Sequence, residues 1–352
     1  MISPTLASIA SKGRASRPLA STGTPEISVV IPVFNHSAYL PRCLESVFDQ
    51  NVGSMEIICI DDASTDPLIP EITAAVADLP GVRCVRNDRN LGISDTQNRA
   101  VNMARGRYIA FLDCDDHLRP GALQRTLDVA RQEGEPDYLF TDRRNIDSKD
   151  KTLFDAVYKL VQSKNGIKRD LTDRMIASHL KVVRKDSFIQ AGGFTQRYTG
   201  IQDWELALKI ARFGEFAYLP EVLYCHRLHA ASVTSSDTRG QARKSNLLRR
   251  EHLESLRPGS STGHDRWETF SIKEVAGKSW YCPDVVYNAW MNGHECVLDA
   301  HGTLNAFEIE FITDFNSYFD LIHVDNIEVA SQIGGSLWTP AILRSPLHRS
   351  VT

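Results

Sequence analysis

The stretch Tyr108-Ile109-Ala110-Phe111-Leu112-Asp113-Cys114-Asp115-Asp116 decides how the rest of the chain is interpreted. Five apolar or aromatic residues, with no Gly or Pro among them, lead directly into three carboxylates. A short continuous apolar run of this kind predicts a strand that is buried on both faces, as in a parallel sheet. The carboxylates that follow would then lie together at one edge of that sheet.

Two interpretations fit the acidic end of this stretch. Carboxylates held close together repel one another and raise one another's pKa unless a positive charge lies among them. A divalent cation that prefers oxygen ligands, Mg²⁺ or Mn²⁺, would supply that charge. Alternatively, the segment is an acidic turn in which Asp115 or Asp116 caps the next helix. The stretch by itself does not choose between them.

Length and composition bound the possible functions. A chain of 352 residues is long enough for two domains, or for one large α/β domain with an appendage. The net charge of -4 gives no electrostatic argument for binding nucleic acid. No apolar run approaches the roughly 20 residues of a membrane-spanning helix. The seven cysteines include no CxxC pair, which is typical of reduced thiols. We therefore expect a cytoplasmic protein, either soluble or peripheral at a membrane.

Composition divides the chain into four regions. Residues 1–25 are rich in Ser and Ala and contain no acidic residue, which predicts a disordered tail, with a transit peptide as the alternative. Residues 26–237 carry alternating strand and helix patterns, and residues 238–257 are a basic helix candidate and linker. Residues 258–352 are predicted to form a partly β accessory region. Its strand-like segments are 296–298, 307–311 and 321–324.

Strand and helix patterns alternate from residue 26 to residue 142. This alternation predicts an α/β fold with a Rossmann-like, mainly parallel sheet flanked by helices. Ligands of such sheets bind at the carboxyl ends of the strands. Three predicted strands end there in polar or acidic residues, which an isolated capping turn does not explain. These ends are Asn35, Asp61-Asp62 and Asp113 to Asp116.

Two common nucleotide-binding fingerprints are missing from the sequence. No GxGxxG follows the first strand, and no GxxxxGK[ST] occurs in the chain. A nucleotide at this edge would instead be held by a cation that bridges its phosphates to aspartates, and by carboxylates that bind its base or ribose. Residues 143–178 are polar and irregular, which predicts a loop with little regular structure, in a position to cover the site.

Two later segments carry further candidate residues. Residues 201–212 have the spacing of an amphipathic helix, with Asp203 at its start. This carboxylate is either a helix cap or a general base. Further along, Arg227 and His229 point to the same side of an extended segment. His229 is either a ligand of a metal or diphosphate or an ordinary surface histidine, and His226 competes with it from the other side of the strand.

Taken together, these segments resemble the family 2 glycosyltransferases of the GT-A fold. The resemblance covers about residues 26 to 235, and it rests on the order of the segments, since none of them is specific alone. It implies a metal-dependent, inverting transfer of a hexose from a nucleotide sugar, expected to be UDP-linked, to a hydroxyl of a carbohydrate, lipid-linked or protein acceptor. The segments are ISVVIPVFN, IICIDDAST, NLGISDTQNRA, YIAFLDCDD, AGGF, QDWELALKI and HRLHAASVT.

The resemblance also implies roles for individual residues. Asp203 would be the catalytic base, and Asp115 with His229 would hold Mn²⁺ or Mg²⁺, with Asp116 as a substitute for Asp115. The remaining residues would bind the nucleotide sugar: Pro32, Val33 and Phe34 around the base with Asn35 beside them, Asp62 (or Asp61) on the base N–H, Asp113 on the ribose, and Arg227 on the diphosphate.

Two positions depart from the family's usual pattern. Gln202 stands where an acidic residue is usual, and Gln97 stands where an Arg is frequent. These departures bear on the identity of the donor more than on activity. The competing hypothesis is a binding or scaffolding protein built on an inactive transferase domain, with the C-terminal region as its functional part or as an oligomer interface. The intact candidate residues favour the enzyme: Asp62, Asp113, Asp115, Asp203 and His229.

Overall fold

The computed structural model divides the chain into two compact units, Met1–Ser236 and Asp237–Thr352. In the first unit it describes residues 4–15, 23–158, 167–168, 170–171 and 175–229. In the second unit the described residues are 241, 244–245, 247–248, 251–252, 267–276, 285–286, 289, 294–300, 303–315, 319 and 321–324.

Strands and helices alternate along the first unit. The strands are β1 (Ile27–Val33), β2 (Met55–Asp61), β3 (Val82–Arg86), β4 (Tyr108–Phe111), β5 (His117–Leu118), β6 (Tyr138–Ile146), β7 (Thr152–Ala156), β8 (Lys181–Arg184) and β9 (Phe216–Arg227). The helices are α1 (Pro4–Ala15), α2 (Leu40–Phe48), α3 (Leu68–Ala77), α4 (Ile93–Met103), α5 (Ala122–Gln132), α6 (Lys185–Gln190) and α7 (Gln202–Ala211).

All of these strands join one sheet, in the order β3-β2-β1-β4-β8-β6-β9-β5, with β7 paired to β6. The strands β3, β2, β1 and β4 are parallel. The strand β8 runs antiparallel to both β4 and β6, so the second half of the sheet is mixed. The predicted α/β class with a central sheet is confirmed. Because β1, β2 and β4 are parallel, their carboxyl ends lie at one edge of the sheet.

The opposite end of β4 is anchored by two buried polar residues, Ser28 and Glu56. The hydroxyl of Ser28 donates to Oε1 of Glu56 at 2.7 Å, and the backbone N–H of Gly106 donates to that hydroxyl at 2.8 Å. Gly106 lies so close to β1 that a Cβ there would be 2.5 Å from the backbone nitrogen of Ser28. The strand β4 is thereby held in register with β1, and its acidic end is delivered to the functional edge.

The N-terminal segment differs from its prediction. Residues 4–15, expected to be part of a disordered tail, form the helix α1. Ile9 is fully buried. Gly13 packs against the side chains of Phe48, the last residue of α2, and Leu79, which follows α3. Lys12 lies 3.2 Å from a carboxylate oxygen of Asp49. Apolar burial along one helix face therefore outweighs a composition that is typical of disorder.

The prediction of an irregular loop over 143–178 is wrong for its first part. Residues 143–146 continue β6, which pairs with β9, and 152–156 form β7 antiparallel to β6. Between them, the side chain of Asp147 accepts hydrogen bonds from the backbone N–H groups of Lys149 and Lys151, at 2.8 and 2.9 Å. Pairing with distant strands, which the local sequence does not show, extends this hairpin. Residues 159–166, 169 and 172–174 of the predicted loop lie outside the described residues.

The second unit contains a parallel three-stranded sheet, β10 (Trp267–Ser271), β11 (Glu295–Ala300) and β12 (Leu321–Val324), in that order. The helices α8 (Ile272–Val275) and α9 (Ala306–Phe315) accompany it. The predicted strand at 307–311 is wrong, because this segment lies in α9. A capping box begins that helix: the side chains of Asn305 and Glu308 each accept the other's backbone N–H at 2.9 Å.

Several sequence predictions lie outside the described residues. They include most of the basic helix candidate in 238–257 and all of the linker that follows it. No described helix has the length and apolar character needed to cross a membrane. The cysteines among the described residues are free thiols: Cys43, Cys59, Cys84, Cys114, Cys225 and Cys296.

Candidate active site

Asn35 fastens the loop after β1 to the loop after β2. Its Oδ1 accepts hydrogen bonds from the backbone N–H groups of Thr65 and Asp66 at 2.9 and 3.0 Å. Its own backbone N–H donates to the hydroxyl of Ser64 at 2.8 Å. Asn35 and His36 both have positive φ, 63° and 64°, a conformation that Asn adopts more readily than most residues. The predicted site residue Asn35 therefore sets the shape of this loop and the direction of His36.

Three predicted base-pocket residues lie at the end of β1. Pro32 and Val33 are buried within the strand, and Pro32 is paired with Ile60 of β2. The side chain of Phe34, immediately after the strand, is 43% exposed. Of the three, only Phe34 presents its side chain at the edge of the sheet, where it is available to contact a ligand.

Asp62 holds the loop between β3 and α4. One of its oxygens accepts hydrogen bonds from the side chain of Asn87 at 2.6 Å and from the backbone N–H of Leu91 at 2.8 Å. The other accepts the backbone N–H of Gly92 at 2.9 Å. The alternative residue, Asp61, accepts the backbone N–H of Ser64 at 2.8 Å and pairs with Arg86. A nucleobase N–H would have to share an oxygen with these donors.

Asp113 follows β4 and carries a perturbed carboxyl group. Burial raises the pKa of Asp113 to about 7. The positive charge of Lys181 opposes this rise, whereas the negative charges of Asp116, Asp115 and Asp203 add to it. A mutually repelling group of carboxylates therefore occupies this edge, as the sequence predicted.

Asp116 anchors the acidic segment, residues 113–116 after β4, to β9. Its two oxygens accept hydrogen bonds from the hydroxyl of Tyr224 and from the backbone N–H of Arg227, each at 2.7 Å. Nδ1 of His226 lies 3.2 Å from the first of these oxygens. All of these bonds are internal to the protein, so Asp116 positions its neighbour Asp115 and is itself poorly placed to bind a ligand.

Asp115 and His229 form a close pair at the sheet edge. Nε2 of His229 lies 2.9 Å from Oδ2 of Asp115, and the His229 side chain is 9% exposed. His36 lies beside them, with its ring centroid 5.1 Å from that of His229. One ligand atom from each of His36, Asp115 and His229 can be chosen so that all lie within 4.8 Å of one another.

This trio fits a divalent metal ion. Neighbouring ligands of an ion with bonds of about 2.1 Å are about 3 Å apart, which agrees with the Asp115–His229 distance. Imidazole and carboxylate ligands together suit Mn²⁺ and related ions. Asp115 and His229 were predicted as ligands. His36 was not, because an isolated histidine after a strand gives no signal until the fold brings it beside His229.

A second group of potential ligands, Asp116, His179 and His226, fits a metal poorly. Nη1 of Arg143 lies 2.9 Å from Nδ1 of His179 and can only donate to it, so the proton of a neutral His179 ring is on Nε2. Histidine ligands normally have the reverse arrangement and donate through the nitrogen that does not bind the metal. Burial lowers the pKa of His179 well below its ordinary value, and the charges of Arg143, His226 and Lys181 lower it further.

Arg227, predicted to contact the diphosphate, is 2% exposed and largely engaged within the protein. It donates to the backbone oxygens of Asp115 at 2.7 Å and Asp147 at 2.9 Å, and to the carboxylate of Asp150. Its guanidinium group lies over the ring of Tyr39, 4.5 Å from the centroid. Three of its five N–H groups are thus used to join the β6–β7 turn to the acidic segment, and two are left for a ligand.

Asp203 is the second residue of α7, and its two oxygens have different surroundings. Oδ2 lies 2.9 Å from Nζ of Lys181, whose side chain is 3% exposed. Oδ1 is buried and has no hydrogen-bond partner among the described residues. The neighbouring Gln202 accepts the backbone N–H of Gly200 instead, so it stabilises the start of the helix. Asp203 therefore holds one oxygen that can accept a proton or hydrogen bond.

Two further buried polar side chains, Lys181 and Gln97, were not predicted to take part in the site. Lys181 lies in the short strand β8, whose sequence KVVR gives no indication of a role. Gln97, noted as a departure from the family pattern, is fully buried on α4, and its amide has no partner among the described residues. Only the tertiary structure shows that these side chains lie without solvent contact.

Comparison with known proteins places the chain in a family. The family model "Glycosyl transferase family 2" matches residues 28–192. The chain is 30% identical to chondroitin synthase of Escherichia coli over 210 residues, which is 60% of this chain and 30% of that protein. It is 31% identical to the uncharacterized protein MT1568 of Mycobacterium tuberculosis over 245 residues, 65% of this chain and 74% of that one. The chain therefore spans less than a third of the chondroitin synthase.

Solved structures show the same fold. TarS of S. aureus, residues 1–349, superposes with a TM-score of 0.54 at 16% identity, covering 84% of this chain and 81% of that TarS segment. The same region of TarS in complex with UDP-GlcNAc gives a TM-score of 0.53 at 17% identity, covering 66% and 71%. The sheet order, the acidic strand ends and these sequence matches agree, and the chain belongs to glycosyl transferase family 2.

Proposed function

We propose that this protein is an inverting glycosyltransferase that moves a sugar from a nucleotide-sugar donor to an acceptor hydroxyl. One observation carries the proposal. The Asp115–His229 pair, which suits a metal-bound diphosphate, and the buried, unpartnered oxygen of Asp203, which suits a general base, both lie with the acidic segment after β4.

A uridine nucleotide is the proposed donor class. Support comes from TarS, which was solved in complexes with UDP and with UDP-GlcNAc and shares the fold. On this chain, Phe34 would contact the base, and Asp62 and Asp113 would accept hydrogen bonds from base and ribose. The ring of Phe34 is exposed at the end of β1, and Asn35 holds its loop in place.

Asp115 and His229, with His36, would hold the divalent metal, Mn²⁺ or Mg²⁺. When bound, such an ion supplies positive charge that stabilises the negative charge developing on the departing diphosphate. Arg227 would add its two remaining N–H groups on the same side. Its rigid attachment to Asp115 and Asp147 keeps the guanidinium group in place without further loss of side-chain freedom.

Asp203 would act as the base. Its Oδ1 takes the proton from the acceptor hydroxyl while the hydroxyl oxygen attacks the anomeric carbon, and the bond from that carbon to the diphosphate oxygen breaks on the opposite face. The electron pair of the broken bond leaves with the nucleoside diphosphate, and the anomeric configuration inverts. Burial around Oδ1 excludes water that would compete for the proton.

A carbohydrate is the proposed acceptor. Two relatives of this chain, chondroitin synthase and hyaluronan synthase, are named for polysaccharide products. A lipid-linked glycan or a glycosylated protein would present the same chemical group to Asp203. The region from residue 237 onwards, outside the segment that the family model matches, is the proposed oligomer interface.

A donor screen tests the proposal. The full chain is incubated with a panel of nucleotide sugars and Mn²⁺, with and without oligosaccharide acceptors, and release of nucleoside diphosphate is measured. We expect release from one UDP-sugar, accelerated by an acceptor. Thermal denaturation gives an independent reading, since a ligand at a hundred times its dissociation constant adds about 2.7 kcal/mol to the free energy of unfolding. No release and no thermal shift with any nucleotide plus metal would overturn the proposal.

A further inference from the structure

Lys181 is a buried lysine, and burial of its charged side chain is unfavourable because the ammonium group loses its hydration. It lies in β8, directly opposite Phe111 of the antiparallel strand β4. Its side chain is 3% exposed, and Nζ lies 6.0 Å from the centroid of the Phe111 ring. A buried ammonium group costs free energy unless opposite charges surround it. Its environment therefore has to compensate for the loss of water.

Two carboxylates, Asp203 and Asp113, provide this compensation. Nζ of Lys181 lies 2.9 Å from Oδ2 of Asp203. Burial by itself lowers the pKa of Lys181, but the negative charges of Asp203 and then Asp113 outweigh it, so the pKa is raised. The ammonium group consequently stays charged. It pairs with the proposed base and is also attracted by the charge of the carboxylate assigned to the donor.

The pairing leaves one oxygen of Asp203 unused. Lysine is a point charge that neutralises a carboxylate through a single oxygen, whereas the fork of an arginine would engage both oxygens. Oδ1 of Asp203 is accordingly buried without a partner among the described residues. A buried acceptor without a partner is unfavourable by itself, which points to a ligand hydrogen bond at this atom.

We propose that Lys181 is the positioning residue of the transfer reaction. It binds Oδ2 of Asp203 and thereby turns Oδ1 towards the acceptor hydroxyl, and its charge holds Asp203 close to the donor carboxylate Asp113. This role rests on the proposed function, and it goes beyond the family resemblance, which assigns nothing to this strand. Lys181 acts through Asp203 and does not itself exchange a proton.

Lys209 offers a matched control for the effect of removing a paired lysine. Its Nζ lies 2.7 Å from Oε1 of Glu205, a buried carboxylate on the same helix as Asp203. It also donates to the backbone oxygen of Gly193 at 3.0 Å. Lys209→Met therefore breaks a lysine–carboxylate pair in α7 that faces none of the proposed site residues.

The test compares Lys181→Met, Lys181→Gln, Asp203→Asn, the double variant Lys181→Met/Asp203→Asn and Lys209→Met in the full chain. Transfer is measured with radiolabelled donor, UDP affinity by calorimetry, and folding by thermal denaturation. A base contributes about 10² to 10⁴ in rate, so we expect kcat of Lys181→Met to fall about 10²-fold. Donor KM and UDP affinity should change less than about threefold, as should kcat of Lys209→Met.

The double variant separates positioning from simple structural support. If Lys181 acts through Asp203, Lys181→Met adds no further loss to the residual rate of Asp203→Asn. The double variant should also be more heat-stable than Lys181→Met, since it no longer buries an unpaired carboxylate. Should Lys181→Met fold poorly, Lys181→Gln and the double variant supply the same comparison.

Two results would overturn the role of Lys181 and leave the proposed function intact. One is a folded Lys181→Met or Lys181→Gln protein with kcat within threefold of the wild type. The other is a multiplicative loss in the double variant, which would show that the two residues act independently. A wild-type protein that transfers no sugar from any donor would instead remove the proposed function and this role together.

Discussion

Nε2 of His229 lies 2.9 Å from Oδ2 of Asp115, although 114 positions separate the two residues in the chain. The short strand β5, which begins directly after Asp116, brings them together by pairing with β9, in register His117 to Cys225. The backbone N–H of Arg227 is bonded to Asp116, which fixes the same alignment a second time. Sheet pairing therefore fixes the chain on both sides of the Asp115–His229 pair, whereas His36 is contributed by the loop after β1.

Removal of a candidate ligand should weaken metal binding. We expect Asp115→Asn, His229→Ala and His36→Ala each to lower Mn²⁺ affinity by about tenfold or more, since even residues that only support metal ligands contribute this much. Affinity is measured by calorimetry and by electron paramagnetic resonance of Mn²⁺. His294→Ala, at a histidine that is 40% exposed in the second unit, is the control. Unchanged affinity in His36→Ala alone would reduce the ligand set to Asp115 and His229.

Loss of the carboxylate at position 203 should abolish transfer and spare donor binding. Asp203→Asn keeps the size of the side chain but cannot accept a proton, so we expect kcat to fall about 10² to 10⁴-fold. UDP affinity should stay within about threefold of the wild type. Asp186→Asn changes an exposed carboxylate in the first turn of α6 and serves as the control. Near-normal turnover by Asp203→Asn would leave Asp203 as a helix-start residue only.

Substitution of Asp62 should destabilise the loop that begins α4. Asp62→Asn replaces one of two accepting oxygens with a donor, so at least one of the backbone N–H groups of Leu91 and Gly92 loses its bond to residue 62. The N–H of Gly92 keeps a second acceptor, Oδ1 of Asn90 at 2.9 Å. We expect a loss of about 1–3 kcal/mol in the free energy of unfolding, which denaturant titration measures. UDP affinity should fall as well if Asp62 binds the base. An unchanged denaturation midpoint would contradict the hydrogen-bonding role.

Arg227 and Asp150 should respond differently to substitution. Arg227→Lys removes the bonds to the backbone of Asp115 and Asp147, so we expect weaker UDP binding, by about tenfold, and lower stability. Asp150→Ala leaves these bonds and frees one further N–H group of Arg227, so UDP affinity should be retained while amide hydrogen exchange in the β6–β7 turn increases. An equal loss of UDP affinity in both variants would mean that the turn itself contacts the donor.

His179 should make the fold sensitive to mild acid. Burial lowers the pKa of His179 well below its ordinary value, so below about pH 6.5 the unfolded chain binds a proton that the folded chain does not. The free energy of unfolding therefore falls as pH decreases from about 6.5, by at most about 1.4 kcal/mol per pH unit for this group. Denaturant titrations at several pH values between 7 and 5 give the free energy of unfolding at each pH. This free energy should fall less steeply with decreasing pH for His179→Gln than for the wild type. Equal slopes would contradict the assignment, and His294→Gln is the control.

Some of the site could be predicted because its signal is local. Asp115 closes an apolar run, and Arg227 and His229 alternate along an extended segment, so strand geometry alone places each at a strand end. Parallel pairing of β1, β2 and β4 then brings the acidic end of β4 beside the ends of β1 and β2. The same rule predicted the α/β class correctly.

Other parts could not be predicted because they depend on contacts between distant segments. Lys181 lies in a strand of ordinary sequence, and only its position opposite Phe111 brings it to Asp203. His36 points to His229 because Asn35 and His36 adopt positive φ, which their sequence neighbourhood does not require. Arg227 was predicted to contact a diphosphate, but the local sequence does not show that the β6–β7 turn accepts a hydrogen bond from its guanidinium group.

The helix α1 has a practical consequence for anyone who expresses this protein. A gene shortened to begin at residue 28, where the family match starts, would lack Ile9 and Gly13. The apolar side chains of Phe48 and Leu79 would then be exposed to solvent. Such a shortened version would be prone to aggregate through this exposed apolar surface. A poor yield of soluble protein from the truncated gene would then result from the loss of α1 and would carry no information about catalysis.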